Sequence, residues 1–526
     1  MIADCTIGNV FADNLQYESF WNDPSSVPYL WVSLLFAALD LGSWLCYMLD
    51  GAELPDDIPP RSLLKTAGQI LVTGQYQKAR PYSVEAVLMF GICKFIQKVD
   101  PGTEPWLVIG VAARMALRMG YHRDPQHLPH ITPFQGEMRR RAFSILQAFD
   151  LLLSFQAGLP ATIHGDACDT ELPRNLFDED FDEDSTVIPP SRPLTVRTPM
   201  LYHCFKGRLC RSFRPVARLA LSPRAPLYED IMKADAGLRK AHASIPPSLA
   251  MRPLSLSITD DVHVIQHRFN VDLVYQTGLM ILHRTYISHQ RLNPAFEYSR
   301  KTCMEASLSM LRWQMELHSA TQPAGQLYSS YRFIASSLIQ HDFLLAAMIA
   351  CLDLYETHRQ SEIDKMTDAE FDVHTNTYNA LKASHQIWIA RSTDSRDAKR
   401  ASAILGVMLA KIPDPNVARA SNINNLLEGA LDQDNNVPSS TVPIPNISLL
   451  PYEKGQPLTD IQENGESGFS EGVAFEALLQ DEEVNWVSNN PLCINSPLNS
   501  ADLETKEPRG SVSLWPGDGP RRVFSA

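Results

Sequence analysis

Lysine and arginine are absent from the first 60 residues, which nevertheless carry nine Asp and Glu. A secretory leader needs a basic start, so none is expected. Basic residues are scarce throughout, with 46 Lys and Arg against 60 Asp and Glu and a formal net charge of -14 in 526 residues. Such a surface repels phosphate backbones, which makes the chain as a whole a poor nucleic-acid binder. No C-x-x-C occurs among Cys5, Cys46, Cys93, Cys168, Cys204, Cys210, Cys303, Cys351 and Cys493, and the closest pair, Cys204 and Cys210, has five residues between them. That spacing offers neither a disulfide framework nor a zinc site, so the thiols are expected as small core residues in a reducing compartment. Also missing are G-x-G-x-x-G, G-x-x-x-x-G-K-[ST], H-E-x-x-H and G-x-S-x-G. No catalytic residue and no cofactor site is therefore assigned, and the chain is not expected to be an enzyme.

One long hydrophobic run exists, "SVPYLWVSLLFAALDLGSWLCYML" from Ser26 to Leu49, but Asp40 lies inside it and no basic residue anchors its ends. A carboxylate at mid-bilayer is costly, so a buried core helix is expected and no membrane partner.

Helical periodicity is abundant up to about residue 412. Val84, Val87, Leu88, Phe90, Ile92, Phe95 and Ile96 make one broad apolar stripe. Phe134, Met138, Ala142, Ile145, Leu146, Phe149, Leu152 and Leu153 make another at helical spacing, and Ile265, Phe269, Leu273 and Met280 mark a third. No alternating strand with a hairpin turn competes, so the fold class is all-α: a large multi-helix domain over 1–412. Residues Gly158 to Pro199 are rich in Pro and acid and read as a long loop. Residues 413–526 read as a disordered acidic tail, with ten acidic residues and no basic one between Gly455 and Thr505. Within it Phe475, Leu478 and Leu479 share a helical face near Trp486, which suits either plain solvation or an activation segment that folds onto a partner groove.

The stretch "GYHRDPQHLPHITPFQGEMRRRAF", Gly120 to Phe143, carries the densest chemistry. His122, His127 and His130 with Asp124 suggest a metal site, but Pro125, Pro129 and Pro133 forbid one continuous helix through them. A zinc site would also draw a ligand from a separate rigid element, so an inter-helix turn is expected and no metal. Arg139, Arg140 and Arg141 spread over about 200 degrees of a helix, and so cannot all face one phosphate strip. Met138 and Ala142 bracket them on the apolar face, placing at least one arginine beside the core. There it needs a carboxylate, with Glu137, Asp150 or the acidic run Asp178 to Asp184 as candidates.

Beyond these local readings, the passage from "AARMALRMGYHRDPQHLPHITPFQGEMRRRAF" to "TELPRNLFDEDF" resembles the fungal-specific transcription factor domain, the middle homology region of fungal binuclear zinc-cluster regulators. The family pattern falls here on Gly120 to Asp124 (with His122 and Arg123), Glu137 to Arg141, Asp150, the Gly158-x-Pro160-x-x-Ile163 turn, and an acidic Leu-Pro-x-Asn loop within Glu171 to Asp180. "LMILHRTYISHQRLNPAFEYSRKTCMEAS" is similar to the family's later Leu-His-Arg and Ser-x-x-x-Cys-x-x-Ala helices. The ordered likeness covers roughly residues 18 to 412. Leu159 stands where the family usually has Arg, and the family's six-cysteine module is not in the sequence.

What the resemblance implies is a nuclear regulator of RNA polymerase II-dependent genes. The implied partners are the transcription machinery or an intact homologous regulator, in a homo- or heterodimer, without autonomous DNA binding and without the family's zinc cluster. Three alternatives stay open: a product without a DNA-reading module, a full zinc-cluster activator whose start codon is placed too far downstream, and a non-regulatory helical scaffold or unrecognised enzyme.

Overall fold

A computed structural model describes residues 14–50, 62–97, 100, 102–287, 293–328, 337–359 and 366–419, a few single positions within these ranges excepted. The activation-type residues Phe475, Leu478, Leu479 and Trp486, with the rest of the tail beyond 419, lie outside the described residues. Among the described residues there are α-helices and short 3₁₀ turns and no strand. The helices are α1 (Asn14–Asn22), α2 (Tyr29–Asp50), α3 (Ser62–Thr73), α4 (Ser83–Ile96), α5 (Glu104–Arg118), α6 (Pro133–Gln156), α7 (Leu201–Ala220), α8 (Tyr228–Ala243), α9 (Val262–His283), α10 (Glu297–Ala320), α11 (Ser337–Arg359), α12 (Asp368–Arg391) and α13 (Arg396–Leu409).

Each helix packs chiefly on its neighbours in sequence, and the result is two hydrophobic cores. The first is filled from α2 to α6 by residues such as Leu34, Leu41, Leu88, Ile92, Ile109, Phe143 and Leu146. The second runs from α6 to α13 through Phe155, Phe205, Phe213, Phe269, Met310, Leu354 and Trp388. Helix α6 serves both: Phe143 and Leu146 face the first core while Ala148, Leu151 and Phe155 face the second. A stripe wide enough to seal two cores leaves little of α6 for solvent, and its polar residues must find partners inside the protein. The two halves are also stitched at a distance. Asp100, ahead of α5, accepts Ser395 Oγ at 2.6 Å and the Arg396 amide at 2.8 Å at the start of α13.

The hydrophobic run Ser26 to Leu49 forms α2. Leu30, Trp31, Ser33, Leu34, Ala37, Asp40 and Leu41 are buried at three- and four-residue spacing. Asp40 inside it is not stranded, because Gln97 at the end of α4 donates its side-chain amide to the carboxylate. The stretch Tyr29–Tyr47 is long and apolar enough to cross a bilayer, and half of it is buried inside the protein. Against α3 and α4 it behaves as the core helix that its sequence suggests. Cys93, Cys204, Cys210, Cys303 and Cys351 are buried thiols outside any disulfide, as expected; Cys46 and Cys168 are partly exposed, and Cys5 and Cys493 lie outside the described residues.

Candidate functional site

Helix α6 starts at a capping box. Thr132 Oγ1 accepts the Gln135 amide at 3.2 Å, and Pro133 occupies the first turn, where its missing N–H is harmless. It ends at Gly158, whose φ of +72° lets the Leu159 amide reach back to Ser154 O at 2.8 Å and the Gly158 amide to Phe155 O at 3.0 Å. Exposed Pro160 follows and cannot prolong the helix. Leu159 contributes its backbone to this cap and points its half-exposed side chain outward, so Leu in place of Arg leaves the turn intact. The preceding helix closes identically: Gly120, at φ +77°, ends α5, with the Tyr121 amide on Ala116 O at 2.9 Å. The turn that follows delivers Asp124 to the flank of α6.

The three arginines go three ways, as their angular spread requires. Arg140 grips Asp124 with both arms of its guanidinium, Nε to Oδ2 at 2.9 Å and Nη2 to Oδ1 at 2.6 Å. Asp124 is fully buried and also accepts the amides of Gln126 at 3.0 Å and Glu171 at 2.9 Å. Burial opposes its ionised form, but Arg140 and the amide donors outweigh that, holding the carboxyl below its usual range. Arg141, 1% exposed, bonds Asp178 at 2.6 Å, lies 3.7 Å from Glu137 on its own helix, and caps the Phe181 ring at 4.9 Å. Glu137 is buried as well and accepts the Arg174 amide at 2.9 Å; burial pushes its carboxyl up. Arg139 lies over the Tyr121 ring at 4.8 Å. Tyr121 in turn donates to half-buried Glu85 at 2.5 Å.

These contacts form a clasp. The α5–α6 turn and the acidic stretch after residue 168 both close onto one face of α6. Arg123 pairs with Asp169 at 2.9 Å, Asp169 accepts the Asp124 amide at 2.7 Å, and Thr170 Oγ1 donates to Tyr121 O at 2.6 Å. Sequence reasoning placed Glu137 and the Asp178 run as arginine partners, and both are. Asp150 is a correction: among the described residues it pairs with no arginine but accepts the amides of Thr162 at 3.2 Å and Ile163 at 2.8 Å, fixing the chain just beyond the Gly158 turn. Asp124, assigned to the histidine cluster by spacing, is in fact the partner of Arg140. Of the histidines, His122 is half-buried and His127 and His130 are exposed. Among the described residues no group of three metal-ligating side chains gathers.

Other residues of the loop were missed individually. Asn175, 1% exposed, gives its amide protons to Pro193 O at 3.1 Å and Val196 O at 3.0 Å, and its oxygen accepts Thr198 Oγ1 at 2.6 Å. Arg174 Nη1 bonds Ile188 O at 2.6 Å and Pro189 O at 2.9 Å. The stretch 158–199 is thus irregular and closely tied. An Asn in a Pro-rich acidic segment is the signal, since its side chain can replace a missing backbone ladder.

A second polar network joins α8, α9 and α10. His283 Nε2 lies 3.2 Å from Asp235 Oδ1 and its Nδ1 2.9 Å from Ser299 Oγ. The order Asp–His–Ser suggests nucleophilic catalysis. However, His283 and Ser299 are fully buried, and Tyr228 O–H shares Ser299 Oγ at 2.9 Å. The arrangement locks three helices together; Ser299 has no approach for a substrate.

The fungal-specific transcription factor domain family matches residues 9–227, which include the whole clasp. The chain is 38% identical over 401 residues to the Zn(2)-C6 fungal-type transcription factor pigI of Monascus ruber, covering 75% of this chain and 49% of that protein. It is 33% identical over 437 residues to the equisetin cluster transcription factor eqxF of Fusarium heterosporum, covering 81% of this chain and 61% of that protein. With the transcription factor cghF of Chaetomium globosum it shares 30% identity over 390 residues, 74% of this chain and 68% of the relative. The chain spans about half the length of relatives such as pigI. No solved structure matches it significantly.

Proposed function

The chain belongs to the fungal-specific transcription factor family, and from that premise we propose that it is a regulatory body of zinc-cluster type acting in the nucleus on RNA polymerase II-dependent genes. The observation that carries this reading is the match over residues 9–227 to the helices that build the arginine clasp. Its role is regulatory rather than catalytic. The partners are the transcription machinery and an intact homologous regulator that supplies DNA recognition; by analogy with eqxF, named for the equisetin cluster, the genes controlled form a cluster. The acidic segment with Phe475, Leu478, Leu479 and Trp486 contacts that machinery, because interleaved acid and apolar side chains suit a groove lined by both basic and apolar groups.

Fusing residues 413–526 to a foreign DNA-binding domain should activate a reporter. Replacing Phe475, Leu478, Leu479 and Trp486 by Ala together should abolish that activation. A fusion as silent as the bare DNA-binding domain would sink the activator reading, and activation unchanged in the quadruple variant would sink the residue assignment.

A further inference from the structure

Beside the clasp a cavity of about 280 Å³ opens between the acidic stretch and the first turns of α7 and α9. Phe177, Arg197, Tyr202, Ser248, His263 and His267 are among the residues that line it. One wall is flat: the Tyr202 and His267 rings stack at 3.8 Å and 3°, with His263 edge-on to His267 at 5.9 Å. Phe177, also in the lining, neighbours the Asp178 held by Arg141 and lies under the Arg192 guanidinium at 5.1 Å. The clasp therefore fixes one side of the cavity.

Its lining does not share the acidity of the molecule. In a chain of net charge -14, the lining is balanced: one cation, Arg197, and one carboxylate, Asp261, lie 3.8 Å apart with half or more of each side chain exposed. Asp261 precedes Val262 and makes no side-chain cap. The separation is too long for a hydrogen bond, which leaves the guanidinium donors open to a ligand. Behind Tyr202 lies Lys206, 5.4 Å from the ring centroid. Burial holds the imidazole of His267, which lines the cavity, well below its usual value, so it is a neutral group with one donor and one acceptor nitrogen. Helix α9 also begins here, at Val262, and adds the positive end of its dipole.

We propose that this cavity is a binding site for a planar organic anion of roughly one or two rings, the size its volume admits. The acid group sits at Arg197 and the start of α9, and the ring lies along the Tyr202–His267 wall. This site stands independently of the regulatory reading, since it is tested by direct binding rather than by transcription.

The test is calorimetric titration of the full chain with 2-naphthoate and with neutral 2-naphthamide as probes. Saturable binding of the acid is expected, with the amide about tenfold weaker because the cation recognises charge. Arg197→Gln, at an exposed position, should weaken the acid about tenfold and leave the amide unchanged. Ser248→Tyr, which fills the cavity, should remove both; circular dichroism and melting verify that each variant is folded. Absence of saturable naphthoate binding, equal affinity for acid and amide, or naphthoate binding unaffected by Arg197→Gln each overturns the proposal, the last whether or not the Ser248 variant folds.

Discussion

Arg139, Arg140 and Arg141 are adjacent in sequence yet unequal in consequence. Arg140 neutralises Asp124, a carboxylate with no exposed surface, whereas Arg139, among the described residues, lies over the Tyr121 ring, reaches a carbonyl at 3.5 Å and feels Glu85 without a direct ion pair to it. Removing one partner of a buried pair strands the other, at about 3 kcal/mol or more, while a partly exposed cation over a ring contributes about 0.5–1 kcal/mol. Arg140→Ala should therefore lower the unfolding free energy by about 3 kcal/mol and Arg139→Ala by less than about 1 kcal/mol, as read from urea melts. Equal losses in the two variants would contradict the clasp. The same pair fixes a pH dependence. The Asp124 pKa is depressed in the folded state, so the stability it contributes is present above the ordinary carboxylate value near about 4 and is lost as pH falls through the lower folded value. The stability gap between parent and Asp124→Asn should thus be widest above about pH 5 and close progressively below pH 4. A gap that stays constant from neutral to acid pH would remove the charge of Asp124 from the account. That an arginine must meet a carboxylate was legible from helical angles alone. Glu137 and Asp178, the partners of Arg141, were among the carboxylates named; the partner of Arg140 was not, because Asp124 reaches it only through a turn whose course depends on a positive φ at Gly120.

Helix α6 illustrates what periodicity conveys and where it stops. The apolar stripe from Phe134 and the Gly158 turn delimit the helix to within a residue of the observed Pro133–Gln156, because local capping chemistry coincides with the change in pattern. The stretch from Gly158 to Pro199 has no period, and its lack of regular structure was legible while its order was not. That order comes from side chains, chiefly Asn175 and Arg174, bonding carbonyls 14 to 21 residues away. A local pattern can mark the Asn, but not the distant carbonyls to which it bonds. Two substitutions separate local from long-range fixation. Gly158→Ala forces a methyl group into the left-handed region and should cost about 1–2 kcal/mol of global stability. Asn175→Ala leaves buried carbonyls without donors, so it should raise hydrogen exchange throughout 175–198, whereas exchange in α2 to α4 should stay at the parent's rate. Exchange unchanged in 175–198 would show that Asn175 is not what ties the segment.

At the scale of the whole molecule, two cores meet on one helix, and the basic groups of that helix are turned inward. This bears directly on nucleic acid. Sequence-specific recognition needs a basic element set in a groove with side chains that reach base edges. The arginine triplet is the strongest basic cluster in its sequence neighbourhood, yet Arg141 is 1% exposed and Arg140's side chain 12%, and both are bonded to carboxylates. Turning either toward a phosphate would strand Asp124 or Glu137 in the interior, a larger loss than one exposed phosphate contact returns. The remaining surface belongs to a chain of net charge -14, and non-specific affinity rests on phosphate neutralisation, which falls steeply as salt rises. This 526-residue chain alone should therefore retain no complex with a promoter fragment at about 0.15 M salt. Fluorescence anisotropy with labelled duplexes checks this, using an unrelated sequence as control. Sub-micromolar binding that distinguishes the two duplexes would falsify it. If such binding also survived Arg139→Ala, Arg140→Lys and Arg141→Lys, the reading surface would have to lie away from α6 altogether.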